Sequence, residues 1–157
     1  PILTVPLSSC RGTRAHGDAV KLPELHAEHV ELCVLAPDKA SFMQAFRCDN
    51  RERVRPWEPR WSPKFYTTGF WELQLRVLAN EFCEGRGVCF TILNPERNRV
   101  LGVCNYTNIV RGTFQSCHLG YALAEQAEGR GYMREALVVS LDYMFRVQPG
   151  NGLATCP

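Results

Sequence analysis

The chain holds 157 residues, 45% of them apolar and 22% charged, a size and balance that suit one folded domain and exclude a multidomain assembly. Fifteen Arg and three Lys stand against twelve Glu and four Asp, and a formal charge of only +2 argues against nucleic-acid binding by charge alone. No window approaches the roughly 18 consecutive apolar residues that a membrane helix requires.

Residues 1–22 mix Pro, Ser, Gly, Arg and His without any period and read as a disordered tail or linker, leaving 23–157 as the domain. His29 to Leu35, rich in Val, Leu and Cys, predicts a strand closed by Ala36-Pro37. Asp38 is placed to cap a helix whose apolar positions Phe42, Met43 and Phe46 share one face. Asn50 to Trp61 carries two prolines, two tryptophans and several arginines, and predicts a loop. Ser62-Pro63 opens a long helix through Phe70, Trp71, Leu73, Leu75, Leu78 and Phe82, ending near Gly85 and Gly87.

Three strands follow, Val88 to Leu93, Val100 to Val110 and Thr113 to Leu123, the first two joined by the turn Asn94 to Asn98. A last helix has Met133, Ala136, Leu137, Leu141 and Met144 on one buried face. Pro149 to Gly152 reads as a turn, and Leu153 to Cys156 as the start of a strand. The order is strand, helix, helix, three strands, helix: a mixed α/β (α+β) layout on a largely antiparallel sheet. The eight cysteines never fall in C-x-x-C spacing and mostly lie in apolar runs, which sets aside zinc-ribbon and thioredoxin readings. Buried free thiols in a reducing, cytoplasmic setting fit them better.

Between the third of these strands and the last helix stands Ala124-Glu125-Gln126-Ala127-Glu128-Gly129-Arg130-Gly131-Tyr132-Met133. Glycines there allow backbone N–H groups to converge, and a helix start adds unpaired donors and a positive dipole end, so the segment reads as an anion cradle. A helix terminus alone supplies about 0.3–1 kcal/mol, against about 8 kcal/mol for micromolar affinity. The ligand must therefore be long, with contacts beyond its phosphates. The dinucleotide fingerprint needs a third glycine where Arg134 stands, and the P-loop needs a Gly-Lys-Ser/Thr that is absent.

Gln126-x-x-Gly129-x-Gly131 resembles the acetyl-CoA motif of the GNAT N-acetyltransferase superfamily. Taken with Pro56-Trp57-Glu58-Pro59, Leu101-Gly102-Val103, Asn105 to Gly112, Leu119-Gly120-Tyr121 and Gly131-Tyr132-Met133-x-Glu135-Ala136-Leu137, the chain resembles the RimJ type of ribosomal-protein-alanine N-acetyltransferase from about Leu25 to Arg146.

The resemblance implies a GNAT acyl-CoA N-acyltransferase fold, with helices on both faces of the sheet, and transfer of acetyl from acetyl-CoA to a protein N-terminus. That terminus belongs to a ribosomal protein starting with Ala or Ser, and the resemblance implies neither metal nor membrane. Backbone amides from Glu128 to Met133 would hold the diphosphate, with Gln126 in the motif and Arg130 adding charge; Tyr121 and Leu123 would pair with the pantetheine arm. The amide near Leu123 is a candidate oxyanion donor, and His118 and Glu58 are candidate catalytic groups; Trp57 and Trp61, with the Arg-rich loop from Arg51 to Arg60, either shape the acceptor site or anchor their loop. The family places further catalytic parts on a later strand and helix, so a C-terminal truncation is expected. Two alternatives stand beside the enzyme reading: a CoA-binding module without turnover, and a ribosome contact through the Arg-rich loop.

Overall fold

Side-chain alternation along the strands decides what each face of the sheet can cover. The computed structural model describes residues 22–56, 59–110 and 116–146. Within them five strands form one antiparallel sheet in the order β1-β2-β3-β4-β5. These are β1 (Glu24–His26), β2 (Glu31–Cys33), β3 (Val88–Leu93), β4 (Val100–Val110) and β5 (Ser116–Leu123). Four helices accompany them: α1 (Ala40–Asp49), the single turn α2 (Arg51–Val54), α3 (Thr68–Cys83) and α4 (Tyr132–Arg146).

Around β2, Cys33 and Leu35 join one buried cluster while Leu32 and Val34 join the other. Met43, Phe46, Trp71 and Leu75 of α1 and α3 complete the first cluster with Leu93 and Val103. On the opposite side Ala136, Tyr143 and Met144 of α4 pack with Phe90, Cys104 and Tyr106. Each fully buried side chain of this size removes about 1.5–3 kcal/mol worth of apolar surface from water. Phe90 meets Tyr106 and Tyr143 edge-on, with ring centroids 6.2 and 5.6 Å away. The buried Tyr106 hydroxyl lies 2.8 Å from Ser140 Oγ, which fixes the rotation of α4 on the sheet.

The predicted mixed α/β layout, largely antiparallel with helices on both faces, is the fold observed. Differences in detail have local causes. β1 is three residues long and too short to show alternation; its pairing with β2, Glu24 opposite Cys33, makes it a strand. Asp38 does not cap α1, because Pro37 starts a 3-10 turn (Pro37–Lys39) that contains Asp38, and Lys39 takes the cap position. The expected loop after Asn50 begins as the helical turn α2, since its prolines act only from residue 56 onward.

The long helix expected from Pro63 is interrupted. Pro63–Tyr66 is a 3-10 turn, Thr67 is extended (φ −104°, ψ 147°), and its Oγ1 accepts from Phe70 N at 3.3 Å to cap α3. The tail expected before Leu22, the strand residues 113–115, and the turn and strand expected from 149 to 156 lie outside the described residues.

Cys33, Cys48, Cys83, Cys89, Cys104 and Cys117 are free thiols, and Cys10 and Cys156 lie outside the described residues. Burial pushes the Cys104 thiol up to about 12 and the Cys33 thiol up to about 11. Among the described residues no helix is long and apolar enough to cross a membrane.

Candidate functional site

β5 is the outermost strand on its side among the described residues, and its register determines which backbone groups face outward. Ala124 N donates to Leu101 O at 2.7 Å, and Gly102 and Cys104 stand opposite Leu123 and Tyr121. Because bonded and non-bonded pairs alternate in an antiparallel ladder, the N–H and C=O groups of Tyr121 and Leu123 point away from β4. Gly102 permits this approach: a Cβ there would lie 2.4 Å from the Ala122 carbonyl oxygen.

Beyond Leu123 the chain makes a 3-10 turn (Glu125–Ala127), then passes through Gly129 and Gly131, both left-handed at φ 71° and 80°. Glycine takes that conformation without steric cost, and nothing lies within 4 Å of where a Cβ on either would stand. Glu135 N donates to Gly131 O at 3.1 Å, so the amides of Tyr132, Met133 and Arg134 are left as the orphan donors of α4. Glu128 N instead donates to Glu125 O at 3.2 Å, and Glu128 contributes its carboxylate. Together these elements border a groove of about 680 Å³, lined by Tyr121, Leu123, Glu128, Gly129, Gly131, Tyr132 and Met133, and also by Arg53, Val54 and Arg134.

The corner between α1 and α2 grips this loop from the side. Buried Asn50 donates to Phe46 O at 2.8 Å and accepts from Glu125 N at 3.4 Å. Arg53 Nη1 donates to Leu123 O at 2.7 Å, and its Nη2 pairs with the Glu128 carboxylate. Arg51 stacks on the Tyr66 ring at 4.6 Å, and Arg55 pairs with Glu52 at 3.2 Å. The three arginines of this segment are thus engaged within the protein. Asn50 and Gly102 carry no role in the sequence expectations, and Arg53 enters them only within the Arg-rich loop expected at the acceptor site or a ribosome contact; the structure puts its side chain in the groove instead.

A second contact fixes the start of α4 from the far side. Glu135 accepts from His29 N and sits 2.9 Å from His29 Nδ1. That bond raises the His29 pKa, and the His29 backbone and ring lower that of Glu135.

The remaining predicted residues are dispersed. Gln126 accepts from Arg99, and it and Arg130 border a neighbouring hollow with His29 and Tyr132 rather than the groove. His118 is exposed on β5, with Nδ1 3.1 Å from Asn108 Nδ2, and lies three residues before Tyr121, about 10 Å at strand rise. Trp61 stacks on Phe65 at 4.5 Å and packs on the α1–α3 cluster, which is how a loop anchor behaves. Trp57 and Glu58 lie outside the described residues.

An antiparallel sheet with an outward-facing strand end that runs through a glycine turn into a helix start offers an edge for a further strand beside a cradle of backbone donors. The chain belongs to the GNAT family: the family described as "Acetyltransferase (GNAT) domain" matches residues 30–155. It is 35% identical over 104 residues to the [ribosomal protein uS5]-alanine N-acetyltransferase of Escherichia coli (strain K12), covering 66% of this chain and 53% of that protein. The match thus spans about half the length of that curated relative.

Among solved structures, the ribosomal-protein-S5-alanine acetyltransferase from Vibrio fischeri superposes with a TM-score of 0.74 at 27% identity, covering 84% of this chain and 78% of that one. Mycobacterium smegmatis RimJ, solved in complex with CoA-disulfide, gives 0.69 at 20% identity over 85% and 70% of the two chains, a likeness of fold.

Proposed function

We propose that the chain transfers acetyl from acetyl-CoA to the N-terminal α-amino group of a protein, a ribosomal protein beginning with Ala or Ser. The observation that carries this reading is the continuity of the outward edge at Tyr121 and Leu123 with the cradle from Gly129 to Met133. One end takes a diphosphate by backbone donors; the other pairs with an amide-bearing arm as a further strand would. The Escherichia coli and Vibrio fischeri proteins, both named for acetylating alanine of a ribosomal protein, support the acceptor class.

The chemistry needs an amine in its neutral form, a donor for the oxyanion and a proton for the departing thiolate. With the diphosphate at the loop, the arm runs back along β5, past Leu123 and Tyr121 toward Ser116. Leu123 N–H, expected from the resemblance as oxyanion donor, is then the first edge donor that the arm meets, so that role passes to Tyr121 N–H, which lies nearer the thioester. His118 stands in the direction in which the thioester lies and is the described candidate for proton transfer; Glu58 is the second candidate. Arg130 supports the diphosphate from the adjoining hollow, and the acceptor roles of Trp57 and Trp61 rest on the family resemblance alone.

The reading is tested by calorimetric titration with acetyl-CoA, followed by mass spectrometry of peptides starting with Ala or Ser. Saturable binding with a 42 Da gain at the peptide N-terminus, the mass of one acetyl group replacing hydrogen, is the expected result. Binding without product supports a CoA-binding module instead, and absence of binding sinks both.

A further inference from the structure

Arg53 comes from a helical turn 70 residues before the strand it touches, yet its side chain lies in the groove that the proposed function assigns to acetyl-CoA. Two of its described contacts are of different kinds. Nη1 holds Leu123 O at 2.7 Å, a neutral acceptor on the outward edge of β5. Nη2 holds the Glu128 carboxylate, directly before the cradle glycine Gly129. Arginine has five N–H donors in a fixed fork, so one prong can change partner while the other stays.

Glu128 is an anion standing at the lip of an anion cradle, where by charge alone it opposes a diphosphate. Its pair with Arg53 is half exposed, with 49% and 40% of the two side chains open to water, and exposed pairs of this kind hold weakly. A diphosphate offers Arg53 more charge and a planar match for its fork. Among the described residues the only other cation lining the groove is Arg134 of α4, while Arg55 is paired with Glu52.

We propose that Arg53 is a cofactor-holding residue that exchanges partners: Nη2 leaves Glu128 for the diphosphate of the CoA moiety while Nη1 stays on Leu123 O. This rests on the reading of the groove as a CoA site. Glu128 then serves as a stand-in anion that keeps the guanidinium in place while the groove is empty. The exchange also ties the α1–α2 corner, through Asn50 and Arg53, to occupancy of the cradle.

The test is titration of this chain with CoA and, separately, with inorganic pyrophosphate, which probes the cradle alone. Arg53→Gln is expected to weaken CoA binding about tenfold. Glu128→Gln is expected to tighten it about threefold, because the competing carboxylate is gone. Arg53→Lys, which keeps the charge but not the two-pronged reach, is expected to lose about threefold, and it carries the test if Arg53→Gln proves unfolded by its thermal midpoint.

A purely structural ion pair predicts the opposite sign for Glu128→Gln, so weakened or unchanged binding in that variant overturns the proposal. If the parent chain binds pyrophosphate but not CoA, the acetyl-CoA reading falls, and the pyrophosphate titrations of the same variants decide the role of Arg53. If it binds neither, both fall.

Discussion

In β3 every side chain from Phe90 to Leu93 is buried, whereas in β5 the only buried residue is Gly120. β3 is sandwiched between β2 and β4 and covered by helices, so its stability comes from area removed from water and is not weakened by charge screening. The end of β5 is secured by Arg53, by the bond from Ala124 to Leu101 and, across the loop, by Asn50. What the contrast teaches is a division of labour. The middle of the sheet sets whether the protein folds, and the edge keeps backbone groups and a groove open to a ligand.

Phe90→Ala pushes that division hardest. Its fully buried ring touches Tyr106 and Tyr143, so the change is expected to cost about 3–5 kcal/mol in denaturant unfolding. Affinity for CoA, counted per folded molecule, should stay within twofold or so of the parent's. A large loss of affinity in the folded fraction would show that core and edge are not separable.

Gly102→Ala probes the seam between the two regions. The new Cβ would meet the Ala122 carbonyl oxygen at 2.4 Å, and backbone cannot swing aside as a long side chain can. The expected cost is about 1–3 kcal/mol, with β5 displaced opposite Leu123 and CoA binding weakened. Amide exchange along β5 checks the displacement, and unchanged affinity would break the link between strand spacing and the groove.

The smallest effect is expected at His29 and Glu135, an exposed pair joining the β1–β2 turn to the start of α4. The raised His29 pKa means that its contribution is complete below its ordinary 6.5 and is lost as pH rises through the shifted value. The lowered Glu135 pKa means that its contribution is complete above its ordinary 4.5 and is lost as pH falls through the shifted value. The stability difference between the parent chain and Glu135→Gln should therefore be greatest between about pH 4.5 and 6.5 and shrink on either side, as thermal midpoints across pH will register. High salt should flatten the profile.

These regions were unequally legible in the amino-acid sequence, for a physical reason. β3, β4 and α4 carry strong apolar periodicity, and Gly129-x-Gly131 marks its own turn because glycine is the residue that left-handed backbone favours. Local grammar of that kind can be read directly. Arg53 and Asn50 act on partners 70 to 75 residues away, and a contact at that separation leaves no period in the chain. Gly102 was visible within the Leu101-Gly102-Val103 motif, but its purpose depends on a neighbouring strand that only the register reveals. Gln126 shows the converse: a motif position suggested a role at the groove, while its side chain turns to Arg99.

The buried thiols have a practical consequence. Burial pushes the Cys104 thiol up to about 12 and keeps it protonated at pH 8, and the thiolate is the form that alkylating reagents capture. Cys48 and Cys83, both exposed, should label at once. Cys104 can be labelled only when the sheet and α4 part company, so its slow alkylation would clock how often the core opens. Cys48 lies two residues before Asn50, so a fluorophore attached there would sit on the α1–α2 corner and report events at the groove in the same molecule.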